Sequence, residues 1–553
     1  MFVSFCKKQI STITVALIFS FAVTSAWAAP VAPSVRVPGK PAAQPAPTIS
    51  RETQQPATAA ITIEPTASAP ATNTEPVVAA PPQTSQPTTE KPAVQPTSVK
   101  PVAQPTPANT AHIKTETAKP ASTQKQNASV VPGHPFRIQN KEENYNSLLS
   151  KTATRKLDAA LADMIGGYGE KVPGLAVIVY KDGKEVYRNM MGNRFLSPRN
   201  KNWNLPVTAD SRFRVASISK VFTAAGYMQL VEQGKINLDE DVSRYLGFTL
   251  RNPKFPDKVI NSRMLLSHTS SIRDYPTPYV PFKSSVRSFF ESADCWTSSR
   301  IPGTFFSYSN LNFVLLATII EKVSGQRFDK YMTKNVLKPL DIKGSFNLRD
   351  FSSADLQKMG TLYRKTNGEA DRYYAQIDDR PIELPNASRL ANYQPGTNAG
   401  IFSPQGGLRA SPNELSHMLV MLMNRGQYQG RQVLKPATVQ LMEKQVWQYN
   451  PSHPNGNIDN DSIESYGLAL QYFSGTGSTR PAPNRPDFDL IGHLGEAYGF
   501  IGGLMWQPDT KNGFLFLQNG LATGYKQNKG RYSRNYRWEE NFMKTIIENV
   551  FAK

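Results

Sequence analysis

The strongest constraint on the fold of this chain is a break in composition near Phe136. Between Trp27 and Phe136 the 553-residue sequence has no Phe, Tyr or Trp, and about half of its 43 prolines lie there. A stretch so rich in Pro, Ala, Thr, Gln and Val cannot bury enough apolar surface to offset the entropy of ordering. We therefore predict a disordered, extended spacer over residues 29–135 and a folded domain over residues 136–553.

The first 28 residues have the pattern of a secretory signal peptide. Lys7 and Lys8 form a basic start, residues 10–23 form an apolar run, and A-W-A at residues 26–28 offers a small-residue cleavage site. The apolar run is short for a membrane span, although a retained anchor is the alternative. We expect cleavage, export to the periplasm or the medium, and no membrane span in the mature chain.

Composition narrows the possible partners. The net charge of +20 suits contact with an anionic cell-envelope polymer such as peptidoglycan, and it also suits nucleic acid. However, the sequence has no zinc-finger spacing, no basic helix with heptads and no RNP-like aromatic strand, so we do not expect a nucleic-acid partner. The six histidines are scattered and none forms H-E-x-x-H, so we expect no metal and no cofactor.

The pattern of apolar residues in the folded part predicts an α+β fold. A helix that ends at Gly166-Gly167 comes first, followed by a β-hairpin with its turn at Asp182-Gly183. The middle of the domain is mostly helical, except for residues 350–405, which have little periodicity and are interpreted as a long loop system.

The C-terminal part of the domain alternates like an antiparallel sheet. The strand candidates are residues 466–473, 490–508 and 513–520, with turns at Pro508-Asp509 and Asn519-Gly520. An amphipathic helix closes the chain. We expect the terminal helices to flank one antiparallel sheet, with a mostly helical subdomain beside it.

Ser217 and Lys220 lie three residues apart at the start of a predicted buried helix that ends near Gly234. Residues at this spacing share a helix face, so the lysine amine can reach the serine hydroxyl and act as the base that a serine nucleophile needs. The pair alone is not specific, because S-x-x-K also occurs at Ser4–Lys7 and Ser122–Lys125. An ordinary helix cap with a solvated lysine is the alternative.

Three short strings strengthen the case for a catalytic site. S-I-S-K at residues 217–220 is followed after 91 positions by Y-S-N at 308–310, and after a further 185 by H-L-G at 493–495. Their order resembles the serine β-lactamase and penicillin-binding-protein superfamily, in its class C branch. That branch includes D-alanyl-D-alanine carboxypeptidases, D-aminopeptidases and esterases. L-L-S-H-T-S-S-I at 265–272 and G-G-L-R-A-S-P-N-E-L at 406–415 also resemble it.

The resemblance implies a β-lactamase/transpeptidase-like fold and a covalent mechanism. Ser217 would attack the substrate carbonyl and form an acyl-enzyme, and Lys220 and Tyr308 would share the role of base. A tyrosine with a pKa near ~10 needs an adjacent cation to act as a base at neutral pH, and Lys220 can supply one. Asn310 would hold the acyl-side carbonyl of the substrate and help to position Lys220.

The third string implies the rest of the site. The oxyanion would lie between the backbone N–H groups of Ser217 and of Glu496, which follows Gly495. Glu496 and His493 are candidate substrate-binding residues, with a solvated strand residue and a packed sheet residue as their alternatives. Leu494 departs from the superfamily, because it lacks the hydroxyl that in many members helps to bind a substrate carboxylate.

Together these features predict an exported serine hydrolase that acts on a small-molecule or peptide substrate of the cell envelope. Amide bonds of D-alanyl peptides are the first expectation. A carboxylesterase of the same fold and a catalytically silent wall-binding module are the alternatives. A Ser-His-Asp triad on an α/β-hydrolase fold would need G-x-S-x-G, which the sequence lacks. If His493 titrates during turnover, activity should bend near pH ~6–7. His268 is interpreted as structural, tying a loop together.

Overall fold

The computed structural model describes residues 147–166, 169–365, 373–458, 462–522 and 528–552. The predicted signal peptide and spacer lie outside these residues, as does the predicted start of the folded part at residue 136. Within the described ranges, no helix combines the length and the apolar character that crossing a bilayer requires.

Eighteen strands are formed by the described residues. In chain order they are β1 (Gly174–Lys181), β2 (Lys184–Phe195), β3 (Leu205–Pro206), β4 (Phe213–Arg214), β5 (Phe306–Ser307), β6 (Leu362–Lys365), β7 (Tyr373–Ile377), β8 (Arg409–Ala410), β9 (Gln427–Tyr428), β10 (Arg431–Gln432), β11 (Trp447–Gln448), β12 (Gly456–Asn457), β13 (Ser465–Tyr466), β14 (Gln471–Phe473), β15 (Leu490–Ala497), β16 (Phe500–Trp506), β17 (Gly513–Gln518) and β18 (Gly520–Ala522).

Twelve α-helices accompany these strands in the described part of the chain. They are α1 (Lys151–Ala162), α2 (Ser219–Glu232), α3 (Ser243–Leu246), α4 (Ser262–Leu266), α5 (Val286–Ser292), α6 (Asn310–Ser324), α7 (Phe328–Met332), α8 (Ser353–Leu356), α9 (Ser388–Ala391), α10 (Pro412–Met423), α11 (Pro436–Glu443) and α12 (Arg537–Val550).

A nine-stranded antiparallel sheet is the centre of the fold. Its spatial order is β11-β13-β14-β15-β16-β17-β1-β2-β3, so the N-terminal hairpin pairs directly with the C-terminal strands. The hairpin turn lies at Asp182-Gly183, where both residues have positive φ (51° and 76°), as a two-residue type I′ turn requires. The sequence prediction of this turn was correct.

The two faces of the sheet bury different layers. In β1, Val177 and Val179 pack in the cluster that includes residues of α1 and α12, whereas Ala176 and Ile178 pack with the helical middle of the chain. Successive side chains of a strand point to opposite faces, so a strand covered on both sides is apolar throughout. The prediction of an α+β fold with terminal helices against one antiparallel sheet is confirmed.

The helical middle is inserted between β3 and β11. Helices α2 and α6 are buried along nearly their whole length and pack against each other. Helix α10 begins with the predicted capping box: the Ser411 hydroxyl accepts from the Glu414 N–H, and the Glu414 carboxylate accepts from the Ser411 N–H. This layer carries the Ser217 and Tyr308 strings to one side of the sheet.

Several predicted elements differ in detail. Residues 466–473 form two strands, because the chain turns at Ala469 (φ 61°) and pairs Tyr466 with Gln471. Residues 490–508 also form two strands, β15 and β16, which turn at Tyr498-Gly499 (φ 57° and 84°). The predicted loop system over residues 350–405 contains β6 and β7, which pair with each other, and β6 also pairs with β18.

The first helix also ends earlier than predicted. It stops at Ala162, and Ile165 instead bridges Val172 and is 1% exposed. Leaving the helix lets Ile165 enter the core beneath the sheet. Gly167, one of the two glycines predicted to end the helix, is outside the described residues.

Candidate active site

Ser217 lies in a tight turn just before α2. Residues 216–218 form one 3-10 turn, and Ala216 takes a left-handed conformation (φ 47°) that is uncommon for a residue with a side chain. The turn is held against β15, where Gly495 packs on it: a Cβ at Gly495 would lie 2.7 Å from the Val215 carbonyl oxygen. Glycine is therefore needed at residue 495 for the strand to approach the turn so closely.

Lys220 is fully buried and makes three hydrogen bonds through its Nζ atom. The acceptors are the Ser217 Oγ at 2.9 Å, the Asn310 Oδ1 at 2.8 Å and the Gln405 carbonyl oxygen at 3.0 Å. The amine also lies 4.9 Å from the centre of the Tyr308 ring. The first two sequence strings therefore meet at one amine, and Gln405, which sequence reasoning missed, contributes through its backbone.

Burial lowers the pKa of Lys220 to about 7, although the Asp274 carboxylate opposes the shift. An amine with this pKa is partly neutral at pH 7. A neutral amine has two N–H donors and one lone pair. The oxygens of Asn310 and Gln405 can then keep the two N–H groups, which leaves the lone pair for the hydroxyl proton of Ser217.

Asp274 organises the loop that carries Tyr308 and Asn310. Its carboxylate accepts from the Asn310 Nδ2 at 2.7 Å, from the Ser309 Oγ at 2.8 Å and from the Leu311 N–H at 3.2 Å. A carboxylate at this position caps the N-terminus of α6 and fixes the amide of Asn310 so that its oxygen faces Lys220. Sequence reasoning missed Asp274, because no spacing connects it to the residues that it holds.

Tyr308 lies half-buried between Lys220 and His268. The ring centres of Tyr308 and His268 are 4.3 Å apart, and the His268 Nδ1 accepts from the Ser309 N–H at 3.1 Å. Burial, with Lys220 nearby, holds the pKa of His268 well below its usual value. A neutral imidazole that accepts at Nδ1 carries its proton on Nε2. His268 therefore supports the Tyr308 loop, which agrees with its interpretation as a structural residue.

His493 lies on β15 behind Tyr308 and is 1% exposed. Its Nε2 is 2.9 Å from the Tyr466 hydroxyl, and its Nδ1 contacts the Leu494 carbonyl oxygen. A carbonyl can only accept, so Nδ1 carries the proton and Nε2 accepts from Tyr466. Burial, with Lys220 nearby, lowers the pKa of His493 to about 3. The imidazole therefore does not titrate between pH 6 and 7, contrary to the bend considered from the sequence.

Glu496 is half-buried on β15, directly after Gly495 and opposite Ile501. The packing of Gly495 on the Ser217 turn brings this part of the strand beside the nucleophile. Leu494 is half-buried and packs in the layer of the terminal helices. The structure thus brings all seven predicted site residues to one region, with His493 and Gly495 buried and the other strand residue, Glu496, half-buried. Their catalytic and substrate-binding roles stay predictions.

The described residues contain no group of three or more His, Cys, Asp or Glu side chains that could hold a metal ion. What the arrangement offers is a serine hydroxyl, an amine of lowered pKa in contact with it, and a phenol beside that amine. These are the parts of a nucleophile with a neighbouring base.

Comparison with known proteins gives a consistent result. The profile of the Beta-lactamase family matches residues 158–536. A D-aminopeptidase from Brucella anthropi is 32% identical over 180 residues, which are 31% of this chain and 32% of that protein. Protein flp of Staphylococcus aureus (strain N315) is 27% identical over 172 residues, which are 31% of this chain and 34% of that protein. The aligned part spans about a third of each of these relatives.

Among solved structures, the octameric penicillin-binding protein homologue from Pyrococcus abyssi has a similar fold. The TM-score is 0.50 at 23% sequence identity, over 73% of this chain and 77% of that chain. At this identity the likeness concerns the fold, and it confirms the expected β-lactamase/transpeptidase-like architecture.

Proposed function

Because this chain belongs to the Beta-lactamase family, whose members are serine hydrolases, we propose that it hydrolyses its substrate through an acyl-enzyme on Ser217. The family match also confirms the resemblance inferred from the three sequence strings. The observation that carries the proposal is the 2.9 Å contact between the Ser217 Oγ and the Nζ of a fully buried lysine.

In the proposed first step, neutral Lys220 takes the proton of Ser217 while the serine oxygen attacks the substrate carbonyl. Tyr308 lies against the amine and passes a proton to the leaving group as the bond to it breaks. Water then attacks the acyl-enzyme and releases the acid, with the same two residues acting in reverse.

The developing oxyanion would accept from the backbone N–H groups of Ser217 and Glu496. One such donor commonly lowers the barrier by ~3 kcal/mol. Asn310 donates through its Nδ2 to Asp274 and accepts from Lys220. The position of Asn310 beside the Lys220 amine supports its proposed role of holding the acyl-side carbonyl of the substrate.

Covalent labelling tests this mechanism. Incubation with a fluorophosphonate or a penicillin should add one probe to the intact protein, and Ser217→Ala should abolish the mass shift. Ser219→Ala is a matched control, because Ser219 is in the same string but is fully buried and donates no proton to Lys220 in the structure. Wild-type protein that takes up no probe at all would support the silent wall-binding module instead.

For the substrate, we propose amide bonds of D-alanyl peptides in the cell envelope. The similarity to a D-aminopeptidase supports an amide substrate with a D-configured residue. Release of D-alanine from a D-Ala-D-Ala peptide measures this activity directly.

A carboxylesterase is the second candidate, and Leu494 favours it. A site without the hydroxyl at this position pairs a substrate carboxylate poorly there, so it discriminates against peptides that need that contact. Turnover of short-chain esters without release of D-alanine would select the esterase.

Export is part of the proposal and is supported by the signal-like residues 1–28. A mature protein whose first residue is Ala29, found outside the cytoplasm, is the expected result. An uncleaved N-terminus in the membrane fraction would favour a retained anchor.

A further inference from the structure

A cavity of about 660 Å³ lies next to the Ser217 turn, and none of Ser217, Lys220 and Tyr308 lines it. Its walls combine apolar and charged side chains from the loops before α5, after β7 and before β8. The apolar lining includes Phe282, Phe346, Leu348, Ile377, Ile401 and Phe402. A cavity of this size and lining is typical of a binding pocket for part of a small molecule.

Arg214 is the side chain that connects the cavity to the nucleophile. It ends β4, three residues before Ser217, and it lines the cavity. Its Nε donates to the Gly406 carbonyl oxygen at 2.9 Å, next to Gln405, whose carbonyl accepts from Lys220. The same backbone segment therefore holds the buried amine on one side and Arg214 on the other.

Arg214 has no counterion among the described residues. Its Nη atoms make no hydrogen bond or ion pair with any described residue, and the guanidinium lies 5.1 Å from the centre of the Tyr498 ring. Burial and the nearby Arg409 lower the pKa of Arg214 to about 10, although the Asp378 carboxylate opposes the shift, so Arg214 is still a cation at neutral pH. A half-buried guanidinium whose Nη atoms have no protein acceptor can gain a charge-assisted hydrogen bond from an anion.

Within the described residues, none of the carboxylates of the cavity forms an ion pair with Arg214. Asp378 is held by both ends of the Arg409 guanidinium, at 2.9 and 3.1 Å. Arg380 donates to the Gln357 side chain and to backbone oxygens. Asp379 and Glu383 are exposed, so solvent screens them. The lining has three arginines and three carboxylates, and Arg214 is the arginine whose Nη atoms make no hydrogen bond with a described residue.

We propose that this cavity binds an arm of the substrate that ends in a carboxylate, and that Arg214 is the residue that pairs with it. The proposal rests on the proposed hydrolase function and narrows it to acidic substrates. A guanidinium with unpaired Nη atoms can donate two parallel hydrogen bonds to a carboxylate, and the apolar side chains of the cavity suit an aliphatic or aromatic arm. The carboxylate would approach from the Gly406 side of Ser217, away from Leu494 on β15.

Ester series with and without a terminal carboxylate test the inference. The mono-p-nitrophenyl esters of glutaric, adipic and pimelic acid are compared with neutral p-nitrophenyl esters of the same chain length. For the best length, we expect kcat/KM to be at least about tenfold higher for the acidic ester, and the preference to shrink as salt screens the charges. Equal kcat/KM for both series would overturn the proposal.

Variants then assign the preference to one residue. Arg214→Gln should bring the ratio of kcat/KM for the acidic and the neutral ester of the same length down to about one, while Arg214→Lys should keep part of the preference. Arg431→Gln is the control, because Arg431 is an exposed arginine on the β9–β10 hairpin. A preference that survives Arg214→Gln unchanged would refute the assignment.

A binding experiment separates this proposal from the hydrolase function. Monomethyl adipate and methyl hexanoate are compared by ligand-observed NMR with the Ser217→Ala protein, which cannot turn over. If monomethyl adipate binds more strongly than methyl hexanoate, and this difference is lost in the double variant Ser217→Ala/Arg214→Gln, the carboxylate site is supported even if no ester is hydrolysed. If Arg214→Gln does not fold, two other results decide: the effect of salt on the preference for acidic esters, and the part of that preference that Arg214→Lys keeps. Equal binding of monomethyl adipate and methyl hexanoate overturns the proposal.

Discussion

Lys220 and Arg214 are two cations that flank Ser217 at the same turn, and the structure treats them differently. The Lys220 amine is fully enclosed and meets three acceptors. Among the described residues, the Arg214 guanidinium has one hydrogen bond, to Gly406, and Arg214 lines a cavity. The pKa of Lys220 falls to about 7, whereas that of Arg214 falls only to about 10.

The difference teaches how burial acts on the two side chains. A lysine amine gives up its proton when it is desolvated, so full burial makes a base of it. A guanidinium holds its proton even at a lowered pKa, so partial burial makes a fixed charge of it. We interpret Lys220 as the group that moves a proton and Arg214 as the group that holds a charge, and four experiments test that division.

Replacing the amine should have the largest effect. Lys220→Met keeps the length of the side chain and removes the base, so we expect acylation by an activated ester to fall ~10³-fold or more. The rate of covalent labelling measures it. Lys358→Met is the control, because Lys358 is exposed and pairs with Asp210 on the surface. A Lys220→Met protein that is acylated at more than a tenth of the wild-type rate would end the role of Lys220 as base.

Asp274→Asn should have the next largest effect. It removes the charge that raises the pKa of Lys220 and weakens three hydrogen bonds at the start of α6. Losing charge-assisted hydrogen bonds of this kind lowers kcat by about 10- to 100-fold. Because the pKa of Lys220 falls further, the acidic limb of the profile of kcat/KM against pH should move to lower pH. Asp294→Asn is the control, since Asp294 forms an exposed ion pair with Arg273, the residue before Asp274. An acidic limb that stays at the same pH in Asp274→Asn would contradict the prediction.

The wild-type pH profile should bend near pH 7. Lys220 is protonated below its pKa of about 7 and cannot accept the proton of Ser217, so kcat/KM should fall about tenfold for each pH unit below that point. Above pH 7 the amine is neutral and the rate levels off. His493, with a pKa of about 3, contributes no bend in this range. A His493→Gln profile whose bend has moved by a unit or more would assign the limb to His493 instead.

The smallest effect should come from the ring beside Arg214. Tyr498→Leu removes a cation–π contact, which is commonly worth ~0.5–1 kcal/mol at a partly exposed site. We expect the preference for acidic esters to change by about two- to fivefold, with neutral esters unaffected. Kinetics on the matched ester series measure it, and a loss of turnover on neutral esters would show that Tyr498 acts on Ser217 rather than on Arg214.

Local patterns in the sequence were enough for much of the fold. The Asp182-Gly183 turn, the capping box of α10 and the apolar runs of β16 and β17 depend on neighbouring residues, so they could be predicted. The turn at Tyr498-Gly499 was missed, because an apolar stretch surrounds it and Tyr is not typical of a turn residue with positive φ.

The candidate site was predictable where short strings recur and not where the contacts are distant. Ser217, Lys220 and Tyr308 could be singled out by spacing and resemblance. Asp274 reaches Asn310 across 36 residues, and Gln405 reaches Lys220 across 185, so only the folded chain reveals them. The burial of His493 depends on Tyr466 and on the packing around β15, which no local pattern encodes.

The pairing of β1 with β17 has a consequence for how this protein is made. Leu175 pairs with Gln518, and the Lys181 amine reaches the Val550 carbonyl oxygen across 369 residues. A ribosome adds ~5–20 residues per second, so β1 emerges on the order of tens of seconds before its neighbour exists. Contacts this far apart also close slowly. During translation the nascent chain therefore exposes the edge of its N-terminal hairpin, and a chaperone has its longest opportunity to bind there.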